Sequence, residues 1–351
     1  MCGIVGYIGP RNVTSILLDG LRRLEYRGYD SAGVALVADG KLVGTKRVGK
    51  LGNLEEALAK HPLAGSAGIG HTRWATHGRP SDTNAHPHLD CEGRIAVIHN
   101  GIIENHAALR FDLAEKGHRF SSETDTEVVA HLLEDCYDGD IVEAVRKTLA
   151  VVRGAYALGV LSADSPDQIV FARNGASPLV VGIGKGEMFV ASDIPAILEY
   201  TRKELIIQEG EIVTITRDGA QITTFDGAHV DREITHVAWD VRSAEKGGFK
   251  HFMLKEIFEQ PKVVKDTLAG RLDERGDAVI EDIASLDERL RACRKVTMFA
   301  CGTAYHAAVY GMYLIRQLAR LPVELELASE FRYSEPVVEP DTLAIAVSQS
   351  G

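Results

Sequence analysis

Long hydrophobic runs and positive charge are both scarce in this sequence. No stretch of about 18 apolar residues occurs, so no membrane-spanning helix is expected. The opening residues, MCGIVGYIGPRN, lack the basic region and the apolar core of a signal peptide. The chain has 39 Lys and Arg residues against 50 Asp and Glu residues, which gives a net charge of −11. This acidic balance argues against nucleic acid or an anionic membrane as a partner.

Cysteine is also infrequent. The cysteines are odd in number, scattered, and form no Cys-x-x-Cys pair: Cys2, Cys91, Cys136, Cys293 and Cys301. That pattern argues against a disulfide framework and against a thiolate zinc site. A reducing cytoplasm is the expected compartment. With 45% hydrophobic and 25% charged residues over 351 positions, the composition is that of a soluble globular protein of about two domains.

The first two thirds of the chain alternate short strands with a few helices. Apolar residues spaced at about 3.6 positions predict helices at 13–26, 52–60, 105–117, 124–137 and 140–152. Apolar segments bounded by Gly, Asn and Asp predict strands at 2–8, 31–38, 41–48, 66–71 and 94–99, and seven more between 155 and 225. Many strands with few long crossovers indicate antiparallel sheets covered by helices, an α+β fold class.

The character of the sequence changes near residue 240. Residues 241–248 (VRSAEKGG) are polar and rich in glycine, which predicts a linker. A helix is expected from 251 until just before Pro261, and a parallel α/β pattern from 295 onward, with a turn at 302–304. Because no helix follows the last strand, the second domain is expected to be cut off. The expected divisions are a first domain at 2–240, a linker at 241–250 and a second domain at 251–351.

Cys2 directly follows the initiator methionine. A small second residue usually permits removal of Met1, which would place the Cys2 thiol beside a free α-amine. Because such an amine has a pKa near 8, it can act as a base at neutral pH, and one residue would supply nucleophile and base. The alternative is a small apolar residue at the start of a buried strand. The glycines of CGIVG, which let a substrate approach the backbone, leave the two interpretations about equal.

Six motifs of the first domain carry a family resemblance: CGIVGYIG, LRRLEYRGYDSAG, HTRWATHG, NAHPH, HNGIIENH and SETDTEV. They resemble amidotransferases whose nucleophile is an N-terminal cysteine. With the downstream CGT and SQSG segments, and over essentially the whole chain, the sequence resembles the glutamine–fructose-6-phosphate aminotransferase family. The resemblance implies an αββα sandwich of the N-terminal-nucleophile hydrolase type, followed by part of an αβα parallel-sheet sugar-isomerase domain.

The resemblance also implies a glutaminase site in the first domain. Cys2 would attack the glutamine amide, while the Asn100 side chain and the Gly101 backbone N–H would stabilise the oxyanion. The implied glutamine contacts are Arg27, Gly28, Arg73, Trp74, Thr76, His77 and Asp125. Among them, an arginine suits the carboxylate of glutamine, an aspartate suits its ammonium group, and the tryptophan is the implied gate on a closing loop.

Plainer interpretations of the same residues stay open. Asn-Gly is one of the commonest hairpin turns, so Asn100 and Gly101 also fit a simple turn after a strand. Asp125 also fits an N-terminal cap of the helix that follows it, and the two roles are compatible. Arg73 also fits a surface charge, and Trp74 a packing anchor in its loop.

Histidines are frequent in these motifs: His71, His77, His86, His88 and His99. Their spacing matches neither HExxH nor a thiolate–histidine pattern. Pro87 lies between two of them and prevents a helical pair of ligands. They are therefore interpreted as hydrogen-bonded structural residues, and neither a metal nor an organic cofactor is expected.

In the second domain, Cys301-Gly302-Thr303 and Ser348-Gln349-Ser350 each end a predicted parallel strand. Ligands bind at the carboxyl ends of strands in open α/β sheets, and N–H groups and hydroxyls at the start of a helix suit a phosphate. The resemblance implies fructose 6-phosphate as the ligand, with contacts from Thr303, Ser348, Gln349 and Ser350. The spacing alone fits ordinary turns equally well. Ala304 stands where the family often has serine, so one hydroxyl contact is expected to be absent.

The resemblance implies that the complete protein transfers the amide nitrogen of glutamine to fructose 6-phosphate, giving glucosamine 6-phosphate and glutamate for hexosamine biosynthesis. It implies a homodimer at full length. Because the isomerase catalytic residues would lie beyond residue 351, this chain is expected to retain glutamine hydrolysis only. The alternatives are an amidotransferase that uses another acceptor and a non-catalytic module that senses a sugar phosphate.

Overall fold

In a computed structural model of the protein, the described residues are 2–75, 78–175, 177–237, 249–269, 271–272, 278–279 and 281–348. Contacts between Cα atoms divide the chain into two compact units, Met1–Glu245 and Lys246–Gly351. The predicted linker lies almost entirely outside the described residues. In the described ranges, no helix is long and apolar enough to cross a membrane.

The described strands of the first unit form two sheets in which every pairing is antiparallel. These strands are β1 Gly3–Ile8, β2 Ser31–Ala38, β3 Lys41–Val48, β4 Ala67–Arg73, β5 His88–Leu89, β6 Ile95–Gly101, β7 Tyr156–Ser162, β8 Ile169–Asn174, β9 Leu179–Ile183, β10 Met188–Ala191, β11 Lys203–Ile207, β12 Glu211–Ile215, β13 Ala220–Thr224 and β14 Thr235–His236. The larger sheet has the order β14-β11-β9-β10-β1-β4-β2-β3, and the smaller one has the order β13-β12-β8-β7-β6-β5.

Helices cover the outer face of each sheet. They are α1 Val13–Leu24, α2 Leu51–Lys60, α3 His106–Glu115, α4 Glu127–Cys136 and α5 Ile141–Leu149. One apolar cluster joins α1 and α2 to the larger sheet, a second fills the space between the sheets, and a third joins α3, α4 and α5 to the smaller sheet. The predicted αββα sandwich is therefore confirmed.

The central strand β1 shows why the sequence adopts four layers. Its residues are buried throughout, because its two faces pack on different neighbours. Ile4 and Ile8 belong to the cluster between the sheets, whereas Val5 and Tyr7 belong to the cluster under the helices. A strand that is apolar on both faces requires a covering layer on each side.

The segment after β4 is held against the larger sheet by two features of β2 and β3. A side chain at Gly33 of β2 would place its Cβ 2.2 Å from the carbonyl oxygen of His86, so glycine permits this close approach. On β3, the Lys46 Nζ donates hydrogen bonds to three carbonyl oxygens of the returning segment, at residues 83, 85 and 87, over 2.8–3.1 Å. The loop that carries the HTRWATHG motif thus has a fixed return path.

The second unit contains a small parallel sheet. Its elements are α6 Phe252–Leu268, α7 Asp287–Ala292, β15 Lys295–Ala300, α8 Gly302–Leu318, β16 Val323–Leu327, α9 Ala328–Tyr333 and β17 Thr342–Val347. The strand order is β16-β15-β17, and both pairings are parallel, as predicted. Apolar residues of β15, α8 and β16 form its core.

Two expectations for the second unit are wrong. Helix α6 does not end before Pro261 but continues through it. A proline cannot donate the backbone hydrogen bond at this position, but its φ of about −65° is compatible with a helix. The predicted turn at 302–304 is instead the first turn of α8, because Cys301 is the last extended residue before the helix, with φ −129° and ψ 154°. The short elements β5, β14, α7 and α9 were not predicted, since two to six residues carry little periodicity.

Candidate functional site

The residues implied for glutamine chemistry meet in one cleft of about 260 Å³ in the first unit. The cleft lies where the start of β1, the end of β4 and the end of β6 approach one another. Its lining includes seven of the predicted residues: Cys2, Arg27, Arg73, Trp74, Asn100, Gly101 and Asp125. Thr76 and His77 lie outside the described residues, so their predicted contacts stay predictions.

Cys2 directly precedes β1 and lies beside the backbone of Trp74. The Trp74 N–H donates to the Cys2 Sγ at 3.1 Å, and the thiol lies 3.5 Å from the Trp74 carbonyl oxygen, to which it can donate. Burial raises the pKa of the thiol, whereas the Trp74 N–H and the nearby Arg73 guanidinium act in the opposite direction. Because the net effect is a raised pKa, the thiol needs a base before it can attack as a thiolate.

Asn100 connects the two sheets at the cleft. Its Nδ2 donates to the Cys2 carbonyl oxygen at 2.9 Å, and its Oδ1 lies 3.0 Å from the Nε2 of His71. The same His71 nitrogen lies 2.9 Å from the carbonyl oxygen of His99, which can only accept. Therefore His71 carries its proton on Nε2 and shares it between the His99 carbonyl oxygen and the Asn100 Oδ1. This contact turns the N–H₂ group of Asn100 toward Cys2.

Asn100 and Gly101 do not form a hairpin turn, and that interpretation is wrong. They are the last residues of β6 and pair with Ala157 and Tyr156 of β7. Gly101 has a φ of +131°, and a Cβ there would lie 2.0 Å from the carbonyl oxygen of Ala155. Glycine is therefore required for the strand to end in this conformation.

Asp125 does not cap helix α4, so that interpretation is also wrong. The N-cap position is Thr126, and no side chain caps it. The Asp125 Oδ2 instead accepts a hydrogen bond of 2.7 Å from the backbone N–H of Ile103. This contact holds the carboxylate at the cleft wall, next to the end of β6.

Two arginines and a tryptophan complete the predicted set. Arg73 ends β4, is 4% exposed and donates from Nη2 to the Gly78 carbonyl oxygen at 3.0 Å, so it is not a surface charge. Arg27 forms an ion pair with Asp193. Trp74 is 48% exposed, and its ring contacts the Tyr29 ring edge-on at 5.4 Å between centroids. The contact is compatible with the packing interpretation, and the gate stays a prediction.

Gly28 is close to the cleft without lining it. A Cβ at Gly28 would lie 2.7 Å from the carbonyl carbon of Arg73, so glycine lets the two segments pass each other. Sequence reasoning did not single out seven other lining residues for a role in this cleft: Ile102, Thr124, Thr126, Ser177, Pro178, His86 and His99. Of these seven, Thr124 and Thr126 flank Asp125 in the SETDTEV motif. Their position in that motif is the signal that could have indicated these two threonines.

Of the five histidines considered above for a metal site, four pack together beside the cleft: His71, His86, His88 and His99. The His71 and His86 rings lie 4.1 Å apart between centroids, and His86 and His88 lie 4.7 Å apart. Thr126 Oγ1 contacts His86 and His99, and Thr124 Oγ1 contacts His88, at 2.9–3.1 Å. The prediction of fully hydrogen-bonded histidines is wrong in part. The buried nitrogens His71 Nδ1, His86 Nδ1 and His99 Nε2 have no hydrogen-bond partner within the described structure.

The predicted sugar-phosphate residues lie in the second unit. Ala300 of β15 pairs with Val347 of β17, so the carboxyl ends of these strands are neighbours. Thr303 is the second residue of α8, and Ser348 directly follows β17. Gln349 and Ser350 lie outside the described residues. Ala304 packs, partly buried, against the apolar cluster of this unit.

Comparison with known proteins connects both units to characterised families. Residues 71–199 match the sequence profile of the glutamine amidotransferase domain, and residues 289–351 match that of the SIS domain. The chain is 55% identical over 352 residues to a protein of Symbiobacterium thermophilum and 57% identical over 351 residues to one of Thermus thermophilus. Both bear the name glutamine–fructose-6-phosphate aminotransferase (isomerizing). The alignments include all of this chain but only 58% and 57% of those relatives.

Solved structures share the fold at low sequence identity. One is the glutamine phosphoribosylpyrophosphate amidotransferase of B. subtilis in complex with ADP and GMP, with a TM-score of 0.57, 22% identity and coverage of 96% of this chain and 71% of that one. Another, described as the allosteric regulatory enzyme of purine biosynthesis, has a TM-score of 0.59, 22% identity and coverage of 96% and 70%. These likenesses support the fold alone.

The buried histidines predict a dependence of stability on pH. Burial lowers the pKa of His71 to about 3 from its ordinary 6.5, and burial also lowers the pKa values of His86, His88 and His99. The folded protein keeps these rings neutral while the unfolded chain protonates them, so their contribution to stability is complete above pH 6.5 and is lost as pH falls toward 3. Below pH 6.5, each ring that stays neutral in the folded protein adds up to about 1.4 kcal/mol per pH unit to the slope.

Chemical denaturation measured at intervals from pH 7 to pH 5 tests this expectation. His88→Gln should make the slope shallower, because it removes one of the buried rings that bind a proton on unfolding. A free energy of unfolding that is constant over this range would contradict the assignment of neutral buried rings.

Proposed function

Because the chain belongs to the glutamine–fructose-6-phosphate aminotransferase family, we propose that its first unit hydrolyses glutamine with Cys2 as the nucleophile. The observation that carries the proposal is the convergence of Cys2, Asn100 and Gly101 in one cleft with a buried arginine and a buried aspartate. No single pair of these residues would indicate the reaction. Their combination supplies a nucleophile, an oxyanion site and two charges that complement an amino acid.

The proposed reaction proceeds through a thioester. After removal of Met1, the α-amine of Cys2 takes the thiol proton, and Sγ attacks the amide carbon of glutamine. A tetrahedral oxyanion forms, stabilised by the Asn100 Nδ2 and the Gly101 N–H. The protonated amine then delivers its proton to the leaving nitrogen, the C–N bond breaks and ammonia departs. Water attacks the thioester, which releases glutamate and restores the thiol.

The amino acid end of glutamine is proposed to lie between Arg73 and Asp125. An arginine fork can bind a carboxylate through two hydrogen bonds, and a buried carboxylate can bind an ammonium group. Asp125 is oriented by the Ile103 N–H, so one of its oxygens is engaged by the protein and its position is fixed. With both charged groups of glutamine bound at the same end, its side chain would extend so that the amide faces Cys2.

For the whole protein, we propose that the released ammonia converts fructose 6-phosphate to glucosamine 6-phosphate, as a step of hexosamine biosynthesis. The whole protein would act as a homodimer in the cytoplasm. Residues 2–240 would form the glutaminase domain and residues 251–351 a part of the sugar-isomerase domain. Neighbouring strand ends of β15 and β17, with Thr303 and Ser348, support a phosphate position there. Partners among nucleic acids or membranes are not part of the proposal.

Removal of Met1 should be required for activity, because only a free Cys2 amine can act as the base. Intact mass and glutamate release, measured on the same preparations, should show activity only in proportion to the chains that lack Met1. Cys2→Ala should abolish hydrolysis with an unchanged circular dichroism spectrum, and Cys293→Ser, in the second unit, is the matched control. Full activity of chains that retain Met1 would refute the mechanism.

Asn100→Ala should lower kcat for glutamine hydrolysis by about 10²–10³-fold with little change in KM, because the oxyanion exists only after attack. Steady-state kinetics of glutamate release give both constants. Asn105→Ala, four residues beyond the end of β6, is a control that also loses an amide but lies outside the cleft lining. An effect on KM alone would be incompatible with an oxyanion role.

Arg73→Ala and Asp125→Ala should mainly raise KM for glutamine, by roughly 10–100-fold, because each removes one partner of a substrate charge. The exposed Arg79→Ala should leave KM unchanged. Affinity for glutamate, measured by its inhibition of hydrolysis, should fall in parallel. Wild-type KM values in both variants would show that the amino acid binds elsewhere.

A further inference from the structure

A second cluster of reactive side chains lies away from the glutamine cleft, on the helical side of the smaller sheet. It comprises Cys91, His118, His131 and Glu134, which we call the Cys91 cluster. Each residue presents one potential ligand atom, and these four atoms lie within 4.8 Å of one another. In the part of the chain that the structure describes, this is the one such group of histidine, cysteine and carboxylate side chains.

The distances in the Cys91 cluster fit tetrahedral coordination. With Zn–N bonds of about 2.0–2.1 Å and a Zn–S bond of about 2.3 Å, tetrahedral ligand atoms lie roughly 3.3–3.7 Å apart. The Cys91 Sγ lies 3.6 Å from His118 Nδ1 and 3.5 Å from His131 Nδ1. The Glu134 Oε2 lies 3.1 Å and 3.4 Å from the same two nitrogens. Four of the six distances between these atoms therefore lie near the spacing that one ion requires, and all six are within 4.8 Å.

The surroundings of the Cys91 cluster match those of a metal site. Metal-binding histidines commonly donate their second nitrogen to a carboxylate, which fixes the ring. The His118 Nε2 lies 2.8 Å from the Asp135 Oδ1 and fits this pattern, whereas the His131 Nε2 lies 3.9 Å from Glu127, beyond hydrogen-bond distance. The backbone N–H of Arg119 donates to the Cys91 Sγ at 3.5 Å, a contact that suits a thiolate.

Three separate segments supply the four ligands. Cys91 lies in the turn between β5 and β6, His118 follows α3, and His131 and Glu134 share one face of α4 at a spacing of three residues. This dispersion explains why no sequence motif indicated the cluster. The expectation that the chain has no metal rested on the absence of Cys-x-x-Cys pairs and on the spacing of five histidines. Neither His118 nor His131 was among those five.

We propose that the Cys91 cluster binds one Zn²⁺ ion in a four-coordinate, structural site. A thiolate, two imidazoles and a carboxylate are a ligand set that zinc accepts, and a full set of four protein ligands leaves no open position for chemistry. The ion joins the β5–β6 turn and the loop after α3 to helix α4. Asp125 and Thr126 precede α4 directly, so the ion stabilises the element that carries one wall of the glutamine cleft.

The test uses the whole chain and the metal ions themselves. After treatment with a chelator and its removal, Zn²⁺ titration by calorimetry should give one ion per chain, and Tm should rise on addition of Zn²⁺. Co²⁺ should give the visible absorption of a tetrahedral complex and a thiolate-to-metal charge-transfer band. Zn²⁺ should displace Co²⁺ and abolish both signals.

Matched variants locate the ion. Cys91→Ser should abolish the charge-transfer band and weaken Zn²⁺ binding by at least about 100-fold, while Asp135→Asn should weaken it by about 10–100-fold through the ring it orients. Cys2→Ala and Cys293→Ser should bind as the wild type does. The wild-type titration decides the proposal even if a variant is unstable. No stoichiometric binding would mean that the cluster is only a hydrogen-bonded network, and loss of the Co²⁺ signals in Cys2→Ala would place the metal in the glutamine cleft. Either result overturns the proposal.

Discussion

The hydrogen bond from the Asn100 side chain to the Cys2 carbonyl oxygen is the contact on which the candidate site depends. It joins the first residue before β1, in the larger sheet, to the end of β6, in the smaller one. The sandwich packs these sheets through apolar contacts, which determine the distance between layers but not the alignment of individual polar atoms. A directional bond across the layers supplies that alignment. The nucleophile and the proposed oxyanion donor are therefore held by one interaction before any substrate binds.

The same bond explains the polar interior behind the cleft. Asn100 can face Cys2 with its N–H₂ group only if its oxygen is satisfied elsewhere, and neutral His71 provides the proton. Burial keeps the rings of this cluster neutral, which avoids a set of like charges beside Arg73. The cost is that some ring nitrogens stay without a partner in the described structure. Such under-satisfied polar atoms are common where a site requires a fixed arrangement more than it requires stability.

Regular patterns in the sequence were sufficient to predict most of the fold. Strands β2 and β3 lie at the predicted bounds, and the helices of the first unit are within a few residues of theirs. Helices α1, α2 and α5 bury apolar residues three or four positions apart, which is the period that the sequence shows. Elements without such a face were missed, as β5 and α9 show. Pro261 was also misjudged as a helix end, because helix α6 continues through it to Leu268. The family resemblance identified seven of the residues that line the cleft, whereas local residue preferences also fitted a turn at Asn100 and a cap at Asp125. The Cys91 cluster could not be predicted, because only the packed fold brings its three segments together.

The central claim is that Cys2 alone, among the five cysteines, attacks the side-chain carbonyl of glutamine in this cleft. A diazoketone analogue of glutamine, which carries an electrophilic carbon next to the amide position, tests it directly. Intact mass should show one equivalent bound, peptide mapping should place it on Cys2, and excess glutamine should slow the reaction. Labelling of Cys91 or another cysteine at the same rate, or glutamine hydrolysis that survives complete labelling of Cys2, would contradict the account.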